Sequence, residues 1–306
     1  MAFGPDIHVF PGGHVDPADS APGALAAAGL SAEQAAANLA LEVAAAGGLT
    51  PVDALAHHLA AVRETAEETG IRVRASDLIS LTRWVTPISL SRRFDARFFA
   101  ALVAPGTEVA EGSAEVAEAA WMTPVEALAA MAAGRIQLWQ PTFVTLQQLV
   151  GLDDEARLRA AFAPGPGNGG PVLEKLGPTL TRVDGPWAGG IPGRRASGWL
   201  VGERELVIVD PADPTGVTTD AVLEAAVARS ARLVGVAISG LDPQRHAGVE
   251  MFAHGLNLPV ASPDGLPMTP PYPVQPLGLG DEPPFGDVDW RPLVVGGAGG
   301  HGVPAD

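Results

Sequence analysis

The chain has 306 residues, a net charge of −16, no cysteine and 47% hydrophobic residues. The acidic balance excludes a nucleic-acid backbone or an anionic membrane as the main partner, and the absence of cysteine excludes disulfides and thiolate metal sites. The length accommodates two modest domains with an ample core; no apolar run approaches the ~20 residues that cross a bilayer, no signal peptide is visible, and Pro304-Ala305-Asp306 is not a peroxisomal tripeptide. A cytoplasmic globular chain is therefore expected.

Ile7, Val9 and Phe10 read as the end of a strand that runs into Pro11-Gly12-Gly13. Ser31 to Gln34 has the form of a capping box, and an alanine-rich helix is expected from there to about Ala46, stopped by Gly47-Gly48. Thr50 caps a second helix, with Pro51 at its first position and Asp53 in its first turn. Leu55, Leu59 and Val62 recur at helical spacing and face the core. This helix carries AVRETAEETGI, residues 61–71. Glu64, Glu67 and Glu68 stand at i, i+3 and i+4, so all three carboxylates leave one face. Gly70 follows where a helix stops on a left-handed residue. Three anions this close repel one another unless a cation sits among them, and a hard divalent ion such as magnesium is the natural counter-charge. The structural alternative is a solvated acidic face with Arg63 and Glu67 paired at i, i+4. His57 lies earlier on the same face and fits either packing or substrate contact.

Leu78 to Trp84 and Arg93 to Val103 read as strands. Arg92, Arg93 and Arg97 are candidates for holding phosphates, because a guanidinium fork fits phosphate oxygens; a charged strand edge is the alternative. Trp84 fits either stacking on a base or core packing. Thr123-Pro124-Val125-Glu126 opens a helix to about Ala133, and Pro141 to Val150 and Asp154 to Phe162 read as two more. Residues 163–171, APGPGNGGP, are a linker by composition. Beyond them a hairpin at Ser197 to Gly202 and Glu205 to Asp210 leads to a helix at about Thr219 to Arg229. An apolar strand at Leu233 to Ile238, a helix at about His246 to Gly255 and a short strand at Pro259-Val260 complete the readable order.

RETAEETGI matches the second half of the Nudix box, G-x5-E-x7-R-E-U-x-E-E-x-G-U, at Arg63, Glu64, Glu67, Glu68, Gly70 and Ile71. HVFPGGHVDPAD, residues 8–19, resembles the first half, with Gly13 as the opening glycine and Asp19 at the first glutamate position. Residues 20–62 stand where the ordinary box has seven. A box split by such an insert is similar to the Nudix hydrolases that include the peroxisomal coenzyme A diphosphatases, and TRWVTPISLSRRFDARFFAAL, SAEVAEAAWMTPVEAL and LWQPTFVTLQQL follow in that subgroup's order.

This resemblance implies a Nudix α/β/α sandwich with a mixed sheet, whose first strands would precede Ile7. It implies Mg2+ or Mn2+ held by Glu64, Glu67, Glu68 and the Gly12 carbonyl. Catalysis would fall to Glu68, Glu64 or Glu115, the last in the segment that often adds a ligand or base. Arg92, Arg93 and Trp84 would bind substrate, and Gly13, Arg63 and Gly70 would shape the box. The implied substrate is a small nucleoside diphosphate derivative, with coenzyme A or acyl-CoA as the subgroup's choice.

The order of elements after the linker resembles the first half of a metallo-β-lactamase fold. That family's T-H-x-H-x-D-H-x-G-G signature falls on Ser239 to Gly248, with Gly240, Asp242, Gln244 and Arg245 at the ligand positions. Glycine, glutamine and arginine do not make a His/Asp zinc site, so no zinc is expected. The overall expectation is an α+β or α/β chain. A Nudix domain spans 1–163 with a helical insert at about 20–50, a Pro/Gly linker spans 164–172, and a degenerate, partial metallo-β-lactamase-like domain spans 173–306. Unpaired edge strands there would favour a homo-oligomer. The competing function is a non-catalytic binding or scaffold protein.

Overall fold

The computed structural model of the chain describes residues 7–39, 49–86, 93–109, 119–163, 170–186, 195–240, 243–263 and 273–277. Within them, α1 (Pro22–Ala27), α2 (Ala32–Asn38) and α3 (Pro51–Thr69) pack together in the first part of the chain. Ala35, Leu39, Ala54 and Leu55 form their buried centre, flanked by Leu25, Leu59 and Phe99. Local sequence sets α3 closely. The Thr50 hydroxyl accepts the Asp53 N–H at 3.2 Å, and the Asp53 carboxylate accepts the Thr50 N–H at 3.0 Å, the reciprocal bonds of a capping box. Gly70 ends the helix at φ 74°, its N–H bonded to the Ala66 carbonyl at 3.0 Å, a left-handed stop that glycine adopts without strain. Gly70→Ala therefore destabilises the chain by about 1 kcal/mol, read as a shift in urea midpoint at unchanged slope. An unchanged midpoint would mean that the turn carries no such strain.

The capping box of Ser31 and Gln34 forms as expected, but α2 closes at Asn38. Leu39 turns into the core there, 3% exposed, with its N–H on the Ala35 and Ala36 carbonyls. Residues 40–48, where the helix was expected to continue, lie outside the described residues.

Strands β1 (Ile7–His8) and β4 (Gln137–Leu138) pair in parallel, and β2 (Ile79–Val85) and β3 (Asp95–Ala100) pair antiparallel. Between β3 and β4 lies α4 (Pro124–Ala132), capped by Thr123 and Glu126; α5 (Gln140–Leu149) and α6 (Glu155–Ala161) follow β4. Leu158 and Phe162 seal Ile79 of β2.

The later part of the chain forms a seven-stranded sheet. It runs through β5 (Val172–Lys175), β6 (Leu180–Pro186), β7 (Arg195–Val201), β8 (Glu205–Val209), β9 (Arg232–Ala237), β10 (Val260–Pro263) and β11 (Val274–Leu277) in the reverse spatial order β11-β10-β9-β8-β7-β6-β5. The β5 to β8 neighbours are antiparallel and the β8 to β11 neighbours parallel. Parallel neighbours need a crossover, and α7 (Val217–Ala228) supplies it between β8 and β9, as α8 (Val249–Ala253) does between β9 and β10. Leu200, Leu206, Ile208, Val222, Val236, Val249, Phe252 and Val260 are buried between sheet and helices.

The single helix expected over His246 to Gly255 is instead a 3-10 turn, Pro243–His246, followed by α8. Gly248 causes the break. Its N–H bonds to the Pro211 carbonyl at 2.9 Å, and a Cβ there would lie 2.4 Å from the Asp213 carbonyl oxygen. Close tertiary approach overrides local helix propensity at this point.

The two parts of the chain meet at the loop after β8. The Val85 N–H, at the end of β2, donates to the Thr215 carbonyl at 2.7 Å. Gly216 has φ 81°, and a Cβ on it would lie 2.2 Å from the Val85 carbonyl oxygen. Among the described residues no helix is long and apolar enough to cross a membrane.

Candidate functional site

Arg63, inside α3, organises the acidic face. Its Nε donates to Asp19 Oδ1 at 3.1 Å and its Nη2 to Asp19 Oδ2 at 3.0 Å. Nη2 also reaches the His14 carbonyl at 2.8 Å, and Nη1 donates to Glu64 Oε1 at 2.9 Å and Glu67 Oε2 at 3.1 Å. Asp19 is 5% exposed and also accepts the Asp16 N–H at 2.8 Å. Its bonds to Arg63 hold the guanidinium still more firmly in its charged form. A planar five-donor fork suits this task, since it reaches oxygens on several sides at once.

The glycine pair closes onto the same face. The Gly12 N–H donates to Glu68 Oε2 at 3.0 Å. A Cβ on Gly13 would sit 2.0 Å from Glu64 Oε1, so a larger residue there would have to displace the Glu64 carboxylate. Gly12 and Gly13 thus contact Glu68 and Glu64, and Arg63 contacts Glu64 and Glu67, while Gly70 ends the helix that bears them. Asp16 lies 3.8 Å from Arg63 and adds to the negative excess.

These contacts aim the carboxylates at Arg63 and at backbone, and among the described residues no three His, Asp or Glu side chains converge at metal-holding distance. The donor set still fits a hard divalent cation. It consists of carboxylate oxygens whose charge exceeds that of the single guanidinium among them, and Arg63 takes one oxygen of Glu64 and one of Glu67. An open groove of about 370 Å³, lined by Val62, Arg63, Ala66, Glu67, Arg72 and Val73, runs beside this face.

Other residues singled out in the sequence fare differently. Trp84 is 6% exposed and packs in the interior, which corrects its assignment to substrate; a base cannot stack on a face already covered. His57 is fixed between the Asp53 carbonyl, 2.8 Å from Nδ1, and Arg97 Nη1, 3.1 Å from Nε2. Burial, foremost, pushes its pKa down, and a neutral Nε2 can accept from Arg97. Arg97 is 3% exposed and 3.3 Å from Asp95, so it belongs to the structure between α3 and β3. Arg93 is partly exposed and bonded to Asp220 of α7. Arg92 and Glu115 lie outside the described residues.

Sequence reasoning missed two contributors. Asp16 opens a capping box with Asp19 over the 3-10 turn Pro17–Ser20, a signal present in DPAD. The ring of Phe10 packs edge-on against Phe98 of β3, with centroids 6.1 Å apart, which seats the glycine segment; only the fold pairs those rings.

In the later part of the chain, Ser239 and Arg245, from the stretch aligned with a zinc signature, lie against Asp210, and Asp242 lies outside the described residues. Asp210, at φ 50°, accepts the Ser239 N–H at 2.7 Å and the Ser239 hydroxyl, and Arg245 lies 3.6 Å away. Asp213 is buried and accepts the Thr215 N–H at 2.8 Å, the Thr218 N–H at 3.0 Å and the Thr218 hydroxyl at 2.6 Å. Burial raises its pKa, and these bonds oppose the rise.

A family model described as the NUDIX domain matches residues 40–143. The match contains Arg63 to Ile71 and leaves out Gly12, Gly13 and Asp19, the residues that fold onto them. The chain is thus a mixed α+β protein that carries a NUDIX domain. Among solved structures it is similar to the DIM-1 metallo-β-lactamase at 15% identity and a TM-score of 0.27, covering 32% of this chain and 44% of that one. The same enzyme exposed to ceftazidime gives 15% identity, a TM-score of 0.28 and the same coverage. VMB-1 at pH 5.5 gives 16% identity and a TM-score of 0.27, covering 33% and 45%. The chain spans less than half the length of these structures. No curated protein matches it.

Proposed function

We propose that the chain is a divalent-metal-dependent hydrolase of the Nudix type, cleaving the diphosphate linkage of a nucleoside diphosphate joined to another group. The observation that supports this reading is the closure of Gly12-Gly13 onto Glu64 and Glu68, from far away in the chain. Glu64, Glu67 and Glu68, with the Gly12 carbonyl, would hold Mg2+ or Mn2+. Such an ion neutralises the diphosphate and lowers the pKa of an attacking water. Arg63 orients the glutamates through its bonds to Glu64 and Glu67. One of the carboxylates, Glu68, Glu64 or Glu115, takes the proton from water. Arg92 and Arg93 bind the phosphates.

Coenzyme A or an acyl derivative is the finer proposal, resting on the insert between the two halves of the box. The division into a hydrolase domain over 1–163, a linker over 164–172 and a second domain over 173–306 belongs to the same reading.

The test is release of phosphate-containing products from coenzyme A and from ADP-ribose. Turnover is expected with magnesium and none with excess chelator. If neither substrate turns over while magnesium still raises the melting temperature, the chain is a binder and the hydrolase reading fails. Gly13→Ala probes the geometry. The added methyl displaces only the end of the flexible Glu64 side chain, so the fold survives. Turnover nonetheless falls by roughly 10²-fold, because the carboxylate is misplaced. Undiminished turnover in this variant would show that the seat of Glu64 under Gly13 does not matter.

A further inference from the structure

We infer that Asp220, on α7 in the later part of the chain, is a positioning residue for the substrate's phosphates, acting through Arg93. Arg93 lies just before β3. Its Nε donates to the Thr86 carbonyl at 3.0 Å, across the hairpin, and its Nη2 donates to both Asp220 oxygens at 2.8 and 2.9 Å. The Nε and Nη2 edges are therefore held, and Nη1 has no bond to any described residue. The side chain keeps 38% exposure. A guanidinium anchored through two of its nitrogens presents its remaining donors at a reduced ordering cost.

The strand end that carries Arg93 touches the segment that follows Gly13. The ring of Phe94, next in the chain, packs against His14 with centroids 6.1 Å apart. His14 follows Gly13, and its carbonyl accepts a bond from Arg63. The helix that bears Asp220 is itself fixed against the same hairpin. Val85 bonds to Thr215, Gly216 fits against the Val85 carbonyl, and buried Asp213 shapes the intervening turn. The loop after β8 is covered by the first part of the chain, and its work is to brace the hairpin that carries Arg93. This inference rests on the proposed function, because it assigns a partner to the phosphate-binding arginine of that same site.

The test uses the full chain and methylenediphosphonate with magnesium, with affinity read by calorimetry. Asp220→Asn weakens binding by roughly three- to tenfold, since Arg93 loses its anchor, and Asp220→Glu restores most of it. Arg93→Ala weakens binding about tenfold or more. In the Arg93→Ala background, Asp220→Asn has no further effect, whereas a merely structural role would still lower the melting temperature and leave affinity alone. Asp153→Asn, in the exposed pair with Arg157, leaves binding unchanged. Binding that is lost in Glu67→Gln yet indifferent to Asp220→Asn overturns this inference and leaves the proposed function standing. Binding indifferent to Glu67→Gln, or absent from the unaltered chain, overturns the proposed function and this inference with it.

Discussion

Replacing Glu67 or Glu68 by glutamine lowers turnover of a diphosphate substrate by roughly 10²–10⁴-fold and leaves the fold intact. Glutamine keeps the size of glutamate and one carbonyl oxygen but removes the charge. At position 68 that carbonyl still accepts the Gly12 N–H, so the glycine segment stays seated. At position 67 the side chain is 59% exposed. Loss of its ion pair with Arg63 therefore costs only about 0–1 kcal/mol. A divalent ion discriminates far more strongly, because a neutral amide cannot offset its charge. The signature is therefore a large fall in kcat with nearly unchanged melting curves. Turnover that survives both substitutions would place the chemistry elsewhere in the chain.

Arg63→Ala has the largest effect on stability. It leaves the Asp19 carboxylate, 6% exposed at its side chain, without the guanidinium that pairs with both its oxygens. Breaking a buried pair by removing one partner strands a charge in a poor solvent. The expected loss is about 3 kcal/mol, toward the low end for such pairs, because Arg63 itself is 24% exposed. Arg63→Lys does not rescue it, since one ammonium cannot serve Asp19, His14, Glu64 and Glu67 together. Adding Asp19→Asn to Arg63→Ala recovers part of the loss by removing the stranded charge. Urea unfolding of the variants measures all three. A loss below about 0.5 kcal/mol for Arg63→Ala would mean that the tie to Asp19 does not hold the front segment in place.

Local chemistry made most of the helices legible. Thr50-Pro51 with Asp53, Thr123-Pro124 with Glu126, and Asp154 each cap the helix expected to follow them. The strands β2, β8 and β9 lie within a residue or two of their expected places, because their branched and aromatic runs are bounded by polar turns. Tertiary contact overturned one expectation and decided between two readings of another. The helix over His246 to Gly255 breaks at Gly248, where the Asp213 carbonyl presses in, and Trp84 takes the core-packing alternative, 6% exposed. Neither contact has a neighbour in sequence to announce it.

The spacing of Arg63, Glu64, Glu67 and Glu68 by itself determined that the four side chains share one stretch of helix, because helical period is a property of local backbone. Where those side chains point was decided in three dimensions. Asp19 and the His14 carbonyl draw the guanidinium to one side, and Gly12 and Gly13 meet the carboxylates across a long insert. Arg93 was visible as a cation, but its bond to Asp220 joins residues 127 positions apart. Pairings at that range depend on how sheets and helices pack, which short sequence patterns do not encode.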